Sequence, residues 1–211
     1  MPTLEKAKEW YAGSDAAHGF SHILRVYRMA ERIAVAEDAD LEIVHAAALL
    51  HDARMTTPGS GERGAHHLAS AEFAGGVLAG EGWPEDRIAA VQHCIRAHRY
   101  RDDREPPQTI EAMTIFDADK LDVLGAVGVE RVIAYAVLAG QPVYAEPSTR
   151  FLKTAEKEPG EMHSAYHEYR FKLQRVKDRL FTATARSLAV ERDAYLAAFF
   201  ERLAAEHQGL I

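Results

Sequence analysis

Apolar residues in this chain recur at helical spacing along most of its length, and runs of strand-like alternation are nearly absent. Ile23, Val26, Tyr27, Ala30, Ile33 and Ala34 fall three and four residues apart, which lays them along one stripe of a helix. A second helix is predicted from Asp40, whose carboxylate suits a cap, through LEIVHAAALLHD. Thr56 to Gly64 (TTPGSGERG) breaks the pattern and reads as a loop. Helical signals resume over His66 to Gly80 and again after Trp83-Pro84, where proline suits a first helical turn. Arg99 to Pro107 is a charged loop ended by two prolines, and Gln108 to Gly125 and Val127 to Ala139 are helical again. Gly140 to Gly160 carries three prolines and reads as a long irregular connection. The last 45 or so residues, rich in Ala, Leu, Arg and Glu, read as one or two long helices. An all-α protein is expected, a compact bundle of about eight helices. Without repeats, low-complexity tracts or a flexible linker, residues 1–211 read as a single domain. Its motif-bearing core covers about 15–125, with a C-terminal helical elaboration over about 141–211.

Composition narrows the function classes. At 47% hydrophobic and 27% charged, the chain can bury a good-sized core and lies outside the disordered class. A formal net charge of -7 argues against a surface for duplex nucleic acid or an anionic membrane, yet allows a local cationic pocket for a small anion. The start, MPTLEKAKEW, has early charges and no apolar core of signal-peptide type, and no stretch is apolar enough for a membrane span. Cys94 is the only cysteine, so an internal disulfide is impossible and a reducing compartment is expected. Cytoplasm is the expected location. A metal bound by this chain has imidazole and carboxylate to bind it, and no thiolate cluster.

Three segments carry residue types suited to such a site. In the first, His51-Asp52 ends the helix that buries Ile43, Ala47 and Leu50. His51 follows Ala47 by four residues and faces inward with a carboxylate beside it. A buried carboxylate is costly unless a cation or several donors compensate it, and a metal ion is an economical partner. The plainer alternative is a core histidine beside a helix-terminal aspartate. The second segment, DAAHGFSHILRV, holds Asp15, His18, His22 and Arg25. His18 and His22 stack on one face if the helix begins by His18, and Arg25 one turn on offers a cationic fork for phosphate. Here the alternative is an Asp15 cap with surface histidines. The third segment is FDADKLD, in which Ala112, Ile115, Phe116, Asp119 and Val123 share a stripe. Asp119 is therefore the inward carboxylate, and Asp117 is solvated or supports the site from behind.

The order His22, His51-Asp52, Asp119 resembles the signature of the HD-domain superfamily of metal-dependent phosphohydrolases. The flanks HILRV, AALLHDA and DADKL resemble that family too. A lone HD doublet is weak; four ligands in order, each in its local setting, are specific. The resemblance implies an HD-domain bundle with a central site in which His22, His51, Asp52 and Asp119 hold one divalent cation. The resemblance implies manganese, magnesium or another metal of that kind, and two imidazoles with two carboxylates suit manganese, cobalt, nickel or iron better than calcium, with manganese favoured. The implied reaction is attack of a metal-activated water on phosphorus of a small phosphate ester or anhydride. HHLAS and IRAHR resemble the single-metal, nucleotide-handling branch, which implies a nucleotide substrate. Nucleoside triphosphate pyrophosphohydrolase is the sharpest version and nucleotidase the next.

By the same resemblance His67 and His98 contact phosphate or protonate the leaving oxygen, with His18, Arg25 and Lys120 as further substrate contacts. His93 reads equally as a helix-face residue. Arg99 is either a phosphate contact beside His98 or part of a solvated loop balanced by Asp102, Asp103 and Glu105. His163 and His167, in EMHSAYHEY, belong either to a lid or to an amphipathic helix at the rim. Two alternatives stand beside this reading. Extra histidines (His66, His67, His93, His98) would serve a dinuclear phosphodiesterase or an iron oxygenase, and a non-catalytic metal- or nucleotide-binding module would need no turnover.

Overall fold

The computed structural model describes residues 1–12, 19–54, 66–100 and 104–211. Among these the fold is all-α, without strands. Two compact units are present, one of residues 1–120 with 180–185, the other of residues 121–179 with 186–211.

The first unit is built around α3 (Leu41–Leu50), buried from Ile43 onward except for a half-buried His45. Asp40 caps it as expected, its Oδ1 accepting from the N–H groups of Glu42 and Ile43 at 3.0 and 3.2 Å. An apolar helix of this kind must be covered on several sides. It packs against α1 (Leu4–Trp10), α2 (Phe20–Ala36), α4 (His66–Gly80) and α5 (Glu85–Ala97). The stripe read for α2 is the buried one: Ile23, Val26, Ala30, Ile33 and Ala34 are fully covered. Helix α6 (Ile110–Leu121) brings Ala112, Ile115, Phe116 and Asp119 inward together.

The remaining helices are α7 (Gly125–Leu138), α8 (Thr149–Thr154), α9 (Ala165–Phe171) and α10 (Ala183–His207), so the described residues form ten α-helices where about eight were expected. In the second unit, Gly128 opens α7 under the chain before it. A Cβ there would lie 2.2 Å from the Val123 carbonyl oxygen, so only glycine fits. The stretch read as irregular, 140–160, contains α8, capped by Ser148, whose Oγ accepts from the Phe151 N–H at 3.0 Å. The C-terminal 45 residues hold short α9, two 3₁₀ turns and one 25-residue helix, the latter seated by Tyr169 stacked on Phe200 at 4.5 Å.

Asp117 departs from the solvated alternative. It is fully buried in the first unit, and its carboxylate accepts from the N–H groups of Phe181 and Thr182 and from the Thr182 hydroxyl at 2.7–3.2 Å. The residues it binds, 64 and 65 positions on, immediately precede α10, and Thr182 in turn caps that helix by accepting from the Ala185 N–H at 3.1 Å.

Candidate metal centre

Five helix ends converge in the first unit. His22 lies in the first turn of α2, His51 is the C-cap of α3 with Asp52 after it, and Asp119 lies in the last turn of α6. His66 opens α4, and His98 is the C-cap of α5. Helix ends are where backbone groups lack helical partners, and side chains there take up the vacant positions.

That rule fixes two of the imidazoles. Nδ1 of His51 donates to the Ala48 carbonyl at 2.9 Å, and Nδ1 of His98 to the Ile95 carbonyl at 2.5 Å. In each ring Nδ1 is thereby committed, and Nε2 is the nitrogen left to face the centre. Asp52 is the hub on which they close. Its Oδ2 lies 3.6 Å from His51 Nε2 and 3.9 Å from His22 Nε2, and its Oδ1 lies 3.4 Å from His66 Nε2 and 3.6 Å from His98 Nε2. His22 Nε2 is also 3.4 Å from Asp119 Oδ1, while the other oxygen of Asp119 pairs with Lys120.

Two groups result in which every ligand atom lies within 4.8 Å of the others: His22, His51 and Asp119, and Asp52, His66 and His98. All are buried but His66, which is half-buried. His51 Nε2 and Asp52 Oδ1 are buried with no hydrogen-bond partner. A buried polar atom left without one costs about 1–3 kcal/mol. A cation between the rings and the carboxylates would satisfy both atoms, so the donor set fits a divalent metal ion.

Electrostatics point the same way. Burial alone would push the Asp52 carboxyl up, but His51, His98 and His66 outweigh it and hold the group well below the usual carboxylate range. Asp119, also raised by burial, is held below that range by Lys120 and then by His22, His98 and His51. Both carboxylates are therefore anionic at neutral pH. Cys94 is in neither group, and burial, with a smaller contribution from Glu111, pushes its thiol far above the ordinary range.

Of the other candidates, His67 is buried on α4, Arg25 is half-buried on α2, and Lys120 is buried beside Asp119. Arg99 is half-buried next to His98. His18 and Asp15 lie outside the described residues. His93 Nδ1 bonds Glu105 at 2.7 Å and its Nε2 accepts from the Gln108 N–H at 3.2 Å, which ties α5 to the segment before α6. Arg96 shares Glu105 at 2.7 Å. His163 belongs to the second unit, where it contacts Glu168 at 3.2 Å. Two residues outside the favoured reading stand close to the centre. His66, weighed from sequence only as an extra histidine of the dinuclear alternative, is one. Tyr11 is the other, its hydroxyl donating to the Leu49 carbonyl at 2.9 Å.

The HD domain family model matches residues 19–124. YpgQ, an uncharacterized protein of Bacillus subtilis, is 32% identical over 218 residues, covering 100% of this chain and 96% of that protein. The crystal structure of Bacillus subtilis YpgQ in complex with ADP superposes with a TM-score of 0.74 at 29% identity, covering 97% of each chain. An HD-superfamily hydrolase of Bacillus thuringiensis gives 0.67 at 26% identity, covering 97% of this chain and 96% of that one. Among the described residues no helix is long and apolar enough to cross a membrane.

Proposed function

The chain belongs to the HD domain family, and we propose that it is a metal-dependent phosphohydrolase acting on a small nucleotide. The observation that carries this reading is the convergence of four Nε2 atoms on the two oxygens of Asp52, with His51 Nε2 and Asp52 Oδ1 buried and without hydrogen-bond partners. His22, His51, Asp52 and Asp119 are the residues that would hold the ion, with manganese favoured among Mn, Mg, Co, Ni and Fe. When bound, such an ion supplies Lewis acidity, polarising a phosphoryl oxygen and lowering the pKa of a water.

The surrounding side chains complete the chemistry. His98, with Nδ1 committed to Ile95, presents Nε2 for proton transfer with the leaving oxygen. Lys120, Arg25 and, further out, Arg99 supply positive charge for phosphate oxygens, and His67 is a further phosphate contact. His18 is carried as a substrate contact from the sequence. The ADP held by YpgQ supports a nucleotide ligand. The sharpest version is a nucleoside triphosphate pyrophosphohydrolase, with a nucleotidase next, in the cytoplasm.

The test is turnover of a panel of ribo- and deoxynucleoside mono- and triphosphates with manganese, by wild type and Asp52→Ala, with products separated chromatographically. Metal-dependent turnover lost in the variant supports the reading, and pyrophosphate against orthophosphate names the bond. No turnover by a folded, metal-loaded wild type would sink it.

A second reading, a dinuclear centre, is favoured by the second group, Asp52, His66 and His98. It requires two ions per chain, one of them lost on substitution of His66 or His98.

A further inference from the structure

Three consecutive carbonyls at the end of α3 each have a different partner. Ala48 accepts from His51 Nδ1 at 2.9 Å, Leu49 from the Tyr11 hydroxyl at 2.9 Å, and Leu50 from the Ala53 N–H at 3.2 Å. The Tyr11 hydroxyl therefore ties the last turn of α3 two residues before His51. Tyr11 stands just past α1, is 5% exposed, and rests its ring 6.3 Å from that of Phe20, two residues before His22.

We propose that Tyr11 is a positioning residue for the His51-Asp52 doublet, its hydroxyl fixing the end of α3 so that both side chains face one point. This rests on the reading of the doublet as metal ligands. Tyr11 lies outside the segment that the family model matches, so the doublet is held in part from an N-terminal helix that the motif does not include. A phenylalanine would serve the packing equally well. The hydroxyl adds its bond to the Leu49 carbonyl, which ends on the backbone two residues before His51. Burial, and then the charge of Asp52, push the phenol well above its ordinary range, so it remains a donor at every pH the protein would meet.

The test compares Tyr11→Phe with Trp10→Phe in the full-length chain. Trp10 packs edge-on against Phe73 at 5.6 Å and perturbs the same helix without touching the hydroxyl. In the metal-free proteins, amide exchange at Ala53, whose N–H closes the end of α3 on Leu50, should be about 10-fold faster in Tyr11→Phe, because that turn has lost its tie to Tyr11. Titration with cobalt(II), followed by visible absorption, should show binding about 10-fold weaker at unchanged stoichiometry. Trp10→Phe should lower Tm while leaving both readouts at the wild-type value. Wild-type exchange and cobalt affinity in Tyr11→Phe would overturn the proposal, as would equal weakening by Trp10→Phe. If wild type takes up no cobalt, the metal reading fails, and Ala53 exchange alone still decides whether the hydroxyl holds the end of α3.

Discussion

Around Asp52, imidazole nitrogens stand 3.4–3.9 Å from carboxylate oxygens, longer than a good hydrogen bond, and two buried atoms have no hydrogen-bond partner. Around Glu161, in the second unit, His167 is as deeply buried but fully engaged. Its Nδ1 meets the Ser164 hydroxyl at 2.7 Å and its Nε2 meets Glu161 at 3.1 Å. Glu161 in turn accepts from Ser148 and from the Glu158 N–H at 2.6–2.7 Å. Burial of the histidines does not separate these clusters. What separates them is whether the polar atoms are already satisfied: one cluster is closed, and the other has capacity left for a ligand.

Four experiments test that contrast, in descending order of expected effect. Asp52→Ala removes the hub of the open cluster. It should reduce turnover by at least about 100-fold and abolish metal retention, measured by initial rates and elemental analysis. Chelation followed by metal return should move Tm, since an ion bound only by the folded state stabilises it by about 2.7 kcal/mol at 100 times Kd. No shift in a folded apo protein would put the two clusters on the same footing. His167→Ala should cost about 2 kcal/mol in denaturant unfolding, by leaving Ser164 and Glu161 short of a partner, while metal content stays at the wild-type level.

The smallest effect is in acid. Burial, partly offset by Glu161, lowers the pKa of His167 from its ordinary 6.5, so the ring is neutral when folded. Its contribution is then complete above 6.5 and is lost as pH falls below it. Glu161, held down to about 2 by the Ser148 N–H first, contributes above its ordinary 4.5 and loses that contribution toward 2. Tm against pH should therefore decline below 6.5 at any metal concentration, and His167→Gln should flatten the upper part of the decline. Turnover should also fall in acid, because protons compete with the metal for its ligands, and more metal should move that limb to lower pH.

The parts of this contrast that lie within one helix were readable in the sequence. Spacing alone turned Asp119 inward with Ile115 and Phe116, placed His51 at the end of a buried helix, and made Asp40 a cap. What escaped depends on partners far along the chain. Asp117 finds Thr182, 65 residues on, and no periodicity within α6 announces that. Ser148 reaches Glu161 across a proline-rich stretch that in fact contains a helix. His66 and His67 are adjacent, and the spacing gave no reason to prefer the one that meets Asp52.

His51 and His98 share more than their direction. Each is a helix C-cap in right-handed backbone geometry, and each ring turns back to the carbonyl three residues earlier. The chain thus uses one small part twice, on two helices. The part is self-contained: four consecutive residues dictate both the ring's orientation and which nitrogen carries the proton. Moved to the end of another buried helix, it should present Nε2 in the same way, so such a centre can be gained or rearranged by changing helix endings while the rest of the architecture is kept.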